Sequence, residues 1–230
     1  QGLLTAKPDE FKEPAKFVML WLHESERVYG DRLVSYEDLK KYKKEAQAQS
    51  KKRFAKYNLA KFFAEKGDPL IFCHDEERIY DQVLSIDKLK ITMENALKEY
   101  NEVNAAMNLV LFEDAVKHVA RIMRIILNPS GHALLVGVGG SGKQSLSRLA
   151  SFVCGYNVMQ IVLTSNYSIN DLKVDIGEMY KKAGMKDEGT TFLFTDSQIA
   201  NEKFLVFMND LLSSGNIPDL FPQEDVDDIV

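Results

Sequence analysis

Apolar positions along the chain change rhythm near residue 105. Before it they recur at helical spacing. Phe17, Leu20, Trp21, Val28 and Tyr29 place a helix from Pro14 to Tyr29, stopped by Gly30-Asp31. Ser35, with Asp38 three residues on, opens a long polar helix expected to reach about Glu65, with Gly67 and Pro69 as its end. Leu70-Ile71-Phe72-Cys73 is a short strand candidate, and Ile86, Leu89, Met93, Leu97 and Tyr100 share the stripe of a further helix. After residue 105, apolar runs of strand length alternate with helical stripes, as in parallel α/β units. Phe112, Ala115, Val116, Val119, Ile122 and Ile126 mark a helix stopped at Asn128-Pro129-Ser130-Gly131. Ala133 to Val136 follows as a buried strand and runs into a glycine-rich loop. The loop opens a helix with Leu146, Leu149, Ala150 and Val153 on one face and Gly155 at its end. Val158 to Leu163 and Thr191 to Thr195 are the second and third strands. Between them lies a helix with Asp171 near its start and Leu172, Ile176 and Met179 on its face, and a last helix carries Phe204, Leu205, Met208, Leu211 and Leu212.

With 230 residues, 45% of them hydrophobic and 27% charged, the chain has enough apolar material for one large domain or two small ones, which rules out a disordered tail. The net charge of −5 argues against nucleic acid as a partner, because covering phosphates needs an excess of Lys and Arg. Lys40, Lys41, Lys43, Lys44, Lys51 and Lys52 invite an anionic partner, but interleaved Glu45 and a sparse apolar face read better as a solvated helix. Cys73 and Cys154 lie far apart in apolar stretches, as buried thiols of a reducing compartment do, and have no metal-ligand spacing. Gln1 to Asp9 lacks the apolar run of a signal peptide, and no stretch approaches the roughly 20 apolar residues of a membrane span. A soluble intracellular protein with no membrane partner is expected. His23-Glu24 is followed by Arg27 where the zinc-protease pattern needs a second His, so that chemistry is absent.

The candidate chemistry sits at Gly137-Val138-Gly139-Gly140-Ser141-Gly142-Lys143-Gln144-Ser145. Its glycines permit a tight backbone path whose N–H groups, with the following helix N-terminus, converge on an anion, and Lys143 reaches the terminal phosphates. ATP or ADP is therefore the expected ligand. Where the pattern calls for a Ser or Thr hydroxyl on Mg²⁺, Gln144 stands, and the hydroxyl comes one residue later at Ser145, rotated by about 100°. Gln144 can offer only its amide oxygen to the metal. Phe192-Leu193-Phe194-Thr195-Asp196 supplies an apolar strand ending in an acid, read as the carboxylate that holds Mg²⁺ through water, the alternative being a plain turn aspartate. The next residue is Ser197, where a Glu would activate water, and a serine without a proton acceptor is no base. Fast hydrolysis is not expected, with Glu188 and Glu202 as the remaining candidate bases.

Leu135 to Leu146, the strand Phe192 to Ile199 and the segment Leu211 to Phe221 together resemble the fourth AAA+ module of an axonemal dynein heavy chain. Asn108 to Ala115 resembles that module's leading segment, and axonemal fourth modules share the Gln after the Lys and the Ser after the Asp. Leu20 to Leu33 resembles the helical lid of the preceding, third module.

The resemblance implies a division into a lid-like helical region with connecting segment, 1–104, and the first part of a P-loop AAA+ nucleotide-binding domain, 105–230, an incomplete parallel sheet flanked by helices. Two more strands are needed to complete such a sheet. The one carrying the polar sensor residue lies between the first and third strands found here, and the open edges would invite aggregation. The expected nucleotide contacts are Leu109 and Val110 at the adenine, through their backbone, then Gly137, Gly139, Gly140, Ser141, Gly142, Lys143, Gln144 and Ser145. Asp196 and Gln144 stand on the Mg²⁺ side. Arg27 would face the third module's nucleotide or stand as a surface arginine. The implied parent is a microtubule motor of the ciliary axoneme, and the implied partners are neighbouring AAA+ modules, other dynein subunits and, through regions elsewhere, the microtubule. This site would be regulatory, with slow or no hydrolysis. The alternative is a free-standing P-loop ATPase or phosphotransferase, which needs an intact metal ligand after the Lys.

Overall fold

The computed structural model describes residues 5–6, 8–63, 70–75, 78–222 and 225–226. The chain packs as two units, one from 1–92 with 111–124 and the other from 93–110 with 125–230. No described helix is long and apolar enough to cross a membrane.

In the first unit, α1 (Pro14–Ser25) begins on a proline, whose fixed φ suits a first helical turn, and buries Val18, Leu20 and Leu22. It widens into one π-type turn, Glu26–Gly30, closed by Asp31 N–H on the Glu26 carbonyl, so the helical stretch ends where Gly30-Asp31 says it should. The polar helix α2 (Tyr36–Arg53) carries Glu37 and Asp38 in its first turn and Lys51, Lys52 and Arg53 in its last, both favourable to the helix dipole. Ser35 makes no side-chain cap bond, so the expected start signal acts only through charge. The helix stops well short of Glu65. Phe54 leaves the helical path and sets its ring against Trp21 at 5.1 Å, which buries more apolar surface than another polar turn would. A 3₁₀ turn, Ala60–Phe63, follows, and Glu65, Gly67 and Pro69 lie outside the described residues. β1 (Phe72–His74) starts later than expected and pairs antiparallel with β2 (Tyr80–Gln82). Leu20, Leu22, Leu70, Phe72 and Tyr80 form the core here.

A buried polar cluster ties this core to α4 (Glu113–Ile126). Arg124 donates to both carboxylate oxygens of Glu24, at 2.7 Å from Nη2 to Oε2, and its Nη1 reaches the Tyr80 hydroxyl at 3.0 Å. His23 Nδ1 lies 3.0 Å from the Leu70 carbonyl and Nε2 lies 3.1 Å from the Tyr80 hydroxyl. A carbonyl can only accept, so Nδ1 carries the proton and the Tyr80 hydroxyl donates to Nε2. Burial pushes the His23 imidazole down to about 4, and burial with the nearby Arg124 charge takes His74 to about 4 as well. Burial alone would raise the Glu24 carboxyl, but the Arg124 hydrogen bonds and charge outweigh it and hold it below its usual value.

These directions predict acid sensitivity. Between about pH 4 and 6.5 the unfolded chain takes up protons at His23 and His74 that the folded unit refuses, so stability falls as pH drops through that window. Below it, protonation of Glu24 removes more. Amide hydrogen exchange in β1 and β2, corrected for intrinsic rates, should show protection decreasing from pH 6.5 to 4.5, and His23→Gln should flatten that slope.

α3 (Ile86–Val103) contributes its first turns to the first unit and the rest to the second, where Met93, Leu97 and Tyr100 are buried as the stripe predicts. The expected strand Ala133–Val136 is not one. The segment 132–138 pairs with no described strand, and Leu134 and Val136 are 90% and 87% exposed. A strand exists only through its ladder partners, and no described segment of this chain supplies one here. α5 (Lys143–Val153) follows the loop and ends on Gly155, where Tyr156 N–H bonds the Ser151 carbonyl and Gly155 N–H the Phe152 carbonyl. β3 (Asn157–Met159) and β4 (Thr190–Phe192) pair in parallel, shorter than the runs that predicted them. Between them α6 (Ile169–Met185) starts at a capping box of Ser168 with Asp171. In α7 (Phe204–Ser213) only Phe204 is fully buried, while Leu205 and Leu212 of the expected stripe are about half exposed. Leu172, Ile176, Met179, Phe204, Ile161 and Ile217 make the core of this unit.

Candidate nucleotide site

The loop 137–142 turns tightly because two of its glycines take backbone angles that side chains resist. Gly140 has φ 75° and Gly142 φ 76°, the latter as the N-cap of α5. A β-carbon at Gly139 or Gly140 would meet nothing within 4 Å, so the space above the loop is open to a ligand. Gly137 makes room for the loop's own polar groups: a β-carbon there would stand 3.4 Å from the Ser141 hydroxyl and 3.8 Å from the Lys143 ammonium.

Lys143 is the first residue of α5, and its ammonium folds back over the loop. It donates to the carbonyls of Gly137 and Val138, each at 2.8 Å, and to the Ser141 hydroxyl at 3.1 Å, which uses all three of its donors. The charge is thereby held over the turn. Below it, Leu146 N–H bonds the Gly142 carbonyl and the Ser147 hydroxyl bonds the Lys143 carbonyl, locking the first turn of the helix. Gln144 is exposed and Ser145 half-buried.

Leu109 comes against this loop: its Cδ1 lies 3.7 Å from where a β-carbon on Gly142 would be. Val110, its neighbour, is 78% exposed. The segment that brings them there is pinned by Asn101, whose amide both accepts from Met107 N–H at 2.8 Å and donates to the Met107 carbonyl at 3.2 Å. Asn101 went unread in the sequence because an Asn in the last turn of a helix carries no pattern of its own.

Asp196 opens a 3₁₀ turn, Asp196–Gln198, just past β4. It is exposed, and among the described residues its carboxylate has no hydrogen-bond or ion-pair partner. Thr195 and Gln198 brace the turn on either side through a reciprocal capping box. The loop helix and this strand are joined by the fully buried Ser151, whose hydroxyl is bonded to Thr191 of β4 at 3.0 Å and to the Ser147 carbonyl. Arg148 of α5 also bonds the Gln160 side chain just past β3. Ser197 shares a hydrogen bond with the Thr195 hydroxyl at 3.0 Å, and among the described residues no base is hydrogen-bonded to it. Glu188 precedes β4, and its carboxylate accepts from the Asn157 amide at 3.4 Å. The glycine cradle and the Lys143 ammonium fit the phosphates of a nucleotide triphosphate or diphosphate, and the Asp196 carboxylate, without a partner among the described residues, is a group of the kind that holds Mg²⁺. Lys143 and the loop would hold phosphates, and Asp196 with Gln144 would stand on the metal side.

The family model described as P-loop containing dynein motor region D4 matches residues 107–230. The chain belongs to that family. A second model, the AAA+ lid domain, matches residues 1–72. Over its whole length the chain is 59% identical to the dynein alpha chain of the flagellar outer arm of Chlamydomonas reinhardtii. It is 49% identical to the ciliary dynein beta chain of Tripneustes gratilla and 49% to human dynein axonemal heavy chain 17. It spans about 5% of the length of each of these relatives. The α/β P-loop architecture read from the sequence is thus that of the family, with its sheet represented here by β3 and β4.

Proposed function

We propose that this D4 region is a nucleotide-binding, regulatory module of an axonemal dynein heavy chain, which binds ATP or ADP with Mg²⁺ and hydrolyses it slowly or not at all. The observation that carries the reading is the loop itself: two left-handed glycines at the N-terminus of α5 with the Lys143 ammonium held over them. Ser197 in the place of a base, and Gln144 in the place of a metal-binding hydroxyl, support slow turnover. Residues 105–230 are the first part of the fourth AAA+ module, and 1–104 the lid of the third with its connection. Neighbouring modules of the same heavy chain and other dynein subunits are its partners, and the microtubule is reached through regions elsewhere. It works in the cytoskeleton of the ciliary or flagellar axoneme, the setting named for its relatives. A free-standing phosphotransferase has no support from a chain that matches heavy-chain relatives throughout its length.

The test uses the complete heavy chain and 2-azido-ATP carrying label on either the α- or the γ-phosphate. Photolysis at increasing times, followed by isolation of the peptide around 105–145, should give a γ-to-α ratio that stays constant over minutes. A rapid fall in that ratio would mean hydrolysis at this site, and no label in the peptide would mean no nucleotide.

A further inference from the structure

Beyond Phe192 the parallel pairing of β3 and β4 continues for one more bond, Leu193 N–H to the Met159 carbonyl at 2.8 Å. Parallel ladders repeat every second residue on each strand, so the next bond donated from the β4 side would run from Thr195 N–H to the Ile161 carbonyl. Those two groups do not meet. Thr195 N–H donates instead to Gln198 Oε1 at 2.9 Å, and Gln198 Nε2 donates to the Ile161 carbonyl. The Gln198 side-chain amide, 7% exposed, has been inserted into the ladder where one rung belongs. Its oxygen also accepts from the Thr195 hydroxyl at 3.1 Å.

The insertion has two effects. It satisfies the buried Ile161 carbonyl and the half-buried Thr195 N–H, which would otherwise be left without a ladder partner at the end of the sheet. It also separates the two strand ends by the width of an amide and fixes the turn Asp196–Gln198 from its far side, while Thr195 fixes it from the near side. In open parallel sheets, ligands bind beyond the carboxyl ends of the strands, and Asp196 stands at that end, exposed and without a carboxylate partner among the described residues. We propose that Gln198 is a positioning residue for the metal-side carboxylate, its amide replacing one rung of the ladder so that Asp196 is held at the opened strand ends. The proposal rests on the reading of Asp196 as the Mg²⁺-side group.

Leucine fills the same space without donor or acceptor. In Gln198→Leu the Thr195 and Ile161 groups either close on each other or stay unpaired, and the turn shifts in both cases. The loop around Lys143 is untouched by the change.

Two site-specific readouts on the complete heavy chain separate these roles. The first is 2-azido-ADP labelling of the 105–145 peptide in EDTA, which reports the loop without metal. The second replaces Mg²⁺ by Fe²⁺ in the presence of ATP, ascorbate and peroxide, and scores backbone cleavage near residue 196. Gln198→Leu should keep metal-free labelling within about twofold and lower cleavage by about tenfold or more, the usual cost of losing a group that orients a metal ligand. Asp196→Asn should abolish cleavage. If Asp196→Asn loses cleavage but Gln198→Leu keeps it, Gln198 does not position the carboxylate. If Gln198→Leu loses labelling in EDTA as well, its role is only to hold the fold. If Asp196→Asn still cleaves, the reading of Asp196 fails and the proposal with it.

Discussion

Lys143→Ala should lower nucleotide labelling of the 105–145 peptide by about a hundredfold, the value of two charge-assisted hydrogen bonds to phosphate oxygens. The geometry makes the residue hard to replace. It starts α5, so its backbone is fixed by the helix, and its ammonium already stands over the loop on the Gly137 and Val138 carbonyls and the Ser141 hydroxyl. Removing it leaves those carbonyls facing the place a phosphate would occupy, with no cation between. Ser197→Ala is the contrasting variant. The Ser197 hydroxyl is exposed and among the described residues bonds only Thr195, whose own bond to Gln198 keeps the turn in place, so labelling should stay within about twofold of wild type. If the two variants lose labelling equally, the assignment of the Asp196 strand as the second motif is wrong.

Arg124→Met should destabilise the first unit by about 3–5 kcal/mol, the range for breaking one side of a buried ion pair. The Arg124 side chain is 4% exposed and that of Glu24 16%, so neither can turn to water when its partner is lost. The cost comes mainly from the carboxylate left behind, whose remaining cation, Arg27, stands 3.4 Å away and offsets part of it. Glu24→Leu with Arg124→Met removes both charges and should recover part of the loss, although the Tyr80 hydroxyl then loses the Arg124 donor it accepts from. Native-state hydrogen exchange of the β1 and β2 amides reports the local opening free energy, which suits a chain of two units better than a single melting midpoint. Equal losses in the single and double variants would show that packing against the Tyr80 ring, 5.1 Å from the guanidinium, outweighs the charge pair.

What the sequence reveals and hides divides along physical lines. Helical stripes depend on residues three or four apart, and Met93, Leu97 and Tyr100, or Leu172, Ile176 and Met179, are buried as their spacing predicts. The phosphate loop is legible for the same reason: its glycines, lysine and following helix are neighbours in the chain. Ala133–Val136 is a failure of the opposite kind, since its apolar composition says nothing of whether a partner strand lies beside it. The Glu24–Arg124 pair joins residues 100 positions apart and gives no local sign. His23-Glu24 could be read only against a zinc pattern it lacks, and its actual place beneath Tyr80 follows from tertiary packing. Gln198 was hidden because its partners include a carbonyl 37 residues away.

The bonds that tether Lys143 also bear on the entropy of binding. A free lysine side chain gives up about 2 kcal/mol of rotamer freedom when a ligand immobilises it. Here that loss accompanies folding of the loop, because the chain of methylenes is already committed to one path by its three acceptors. Capture of a phosphate then becomes an exchange of oxygens around a nearly stationary nitrogen.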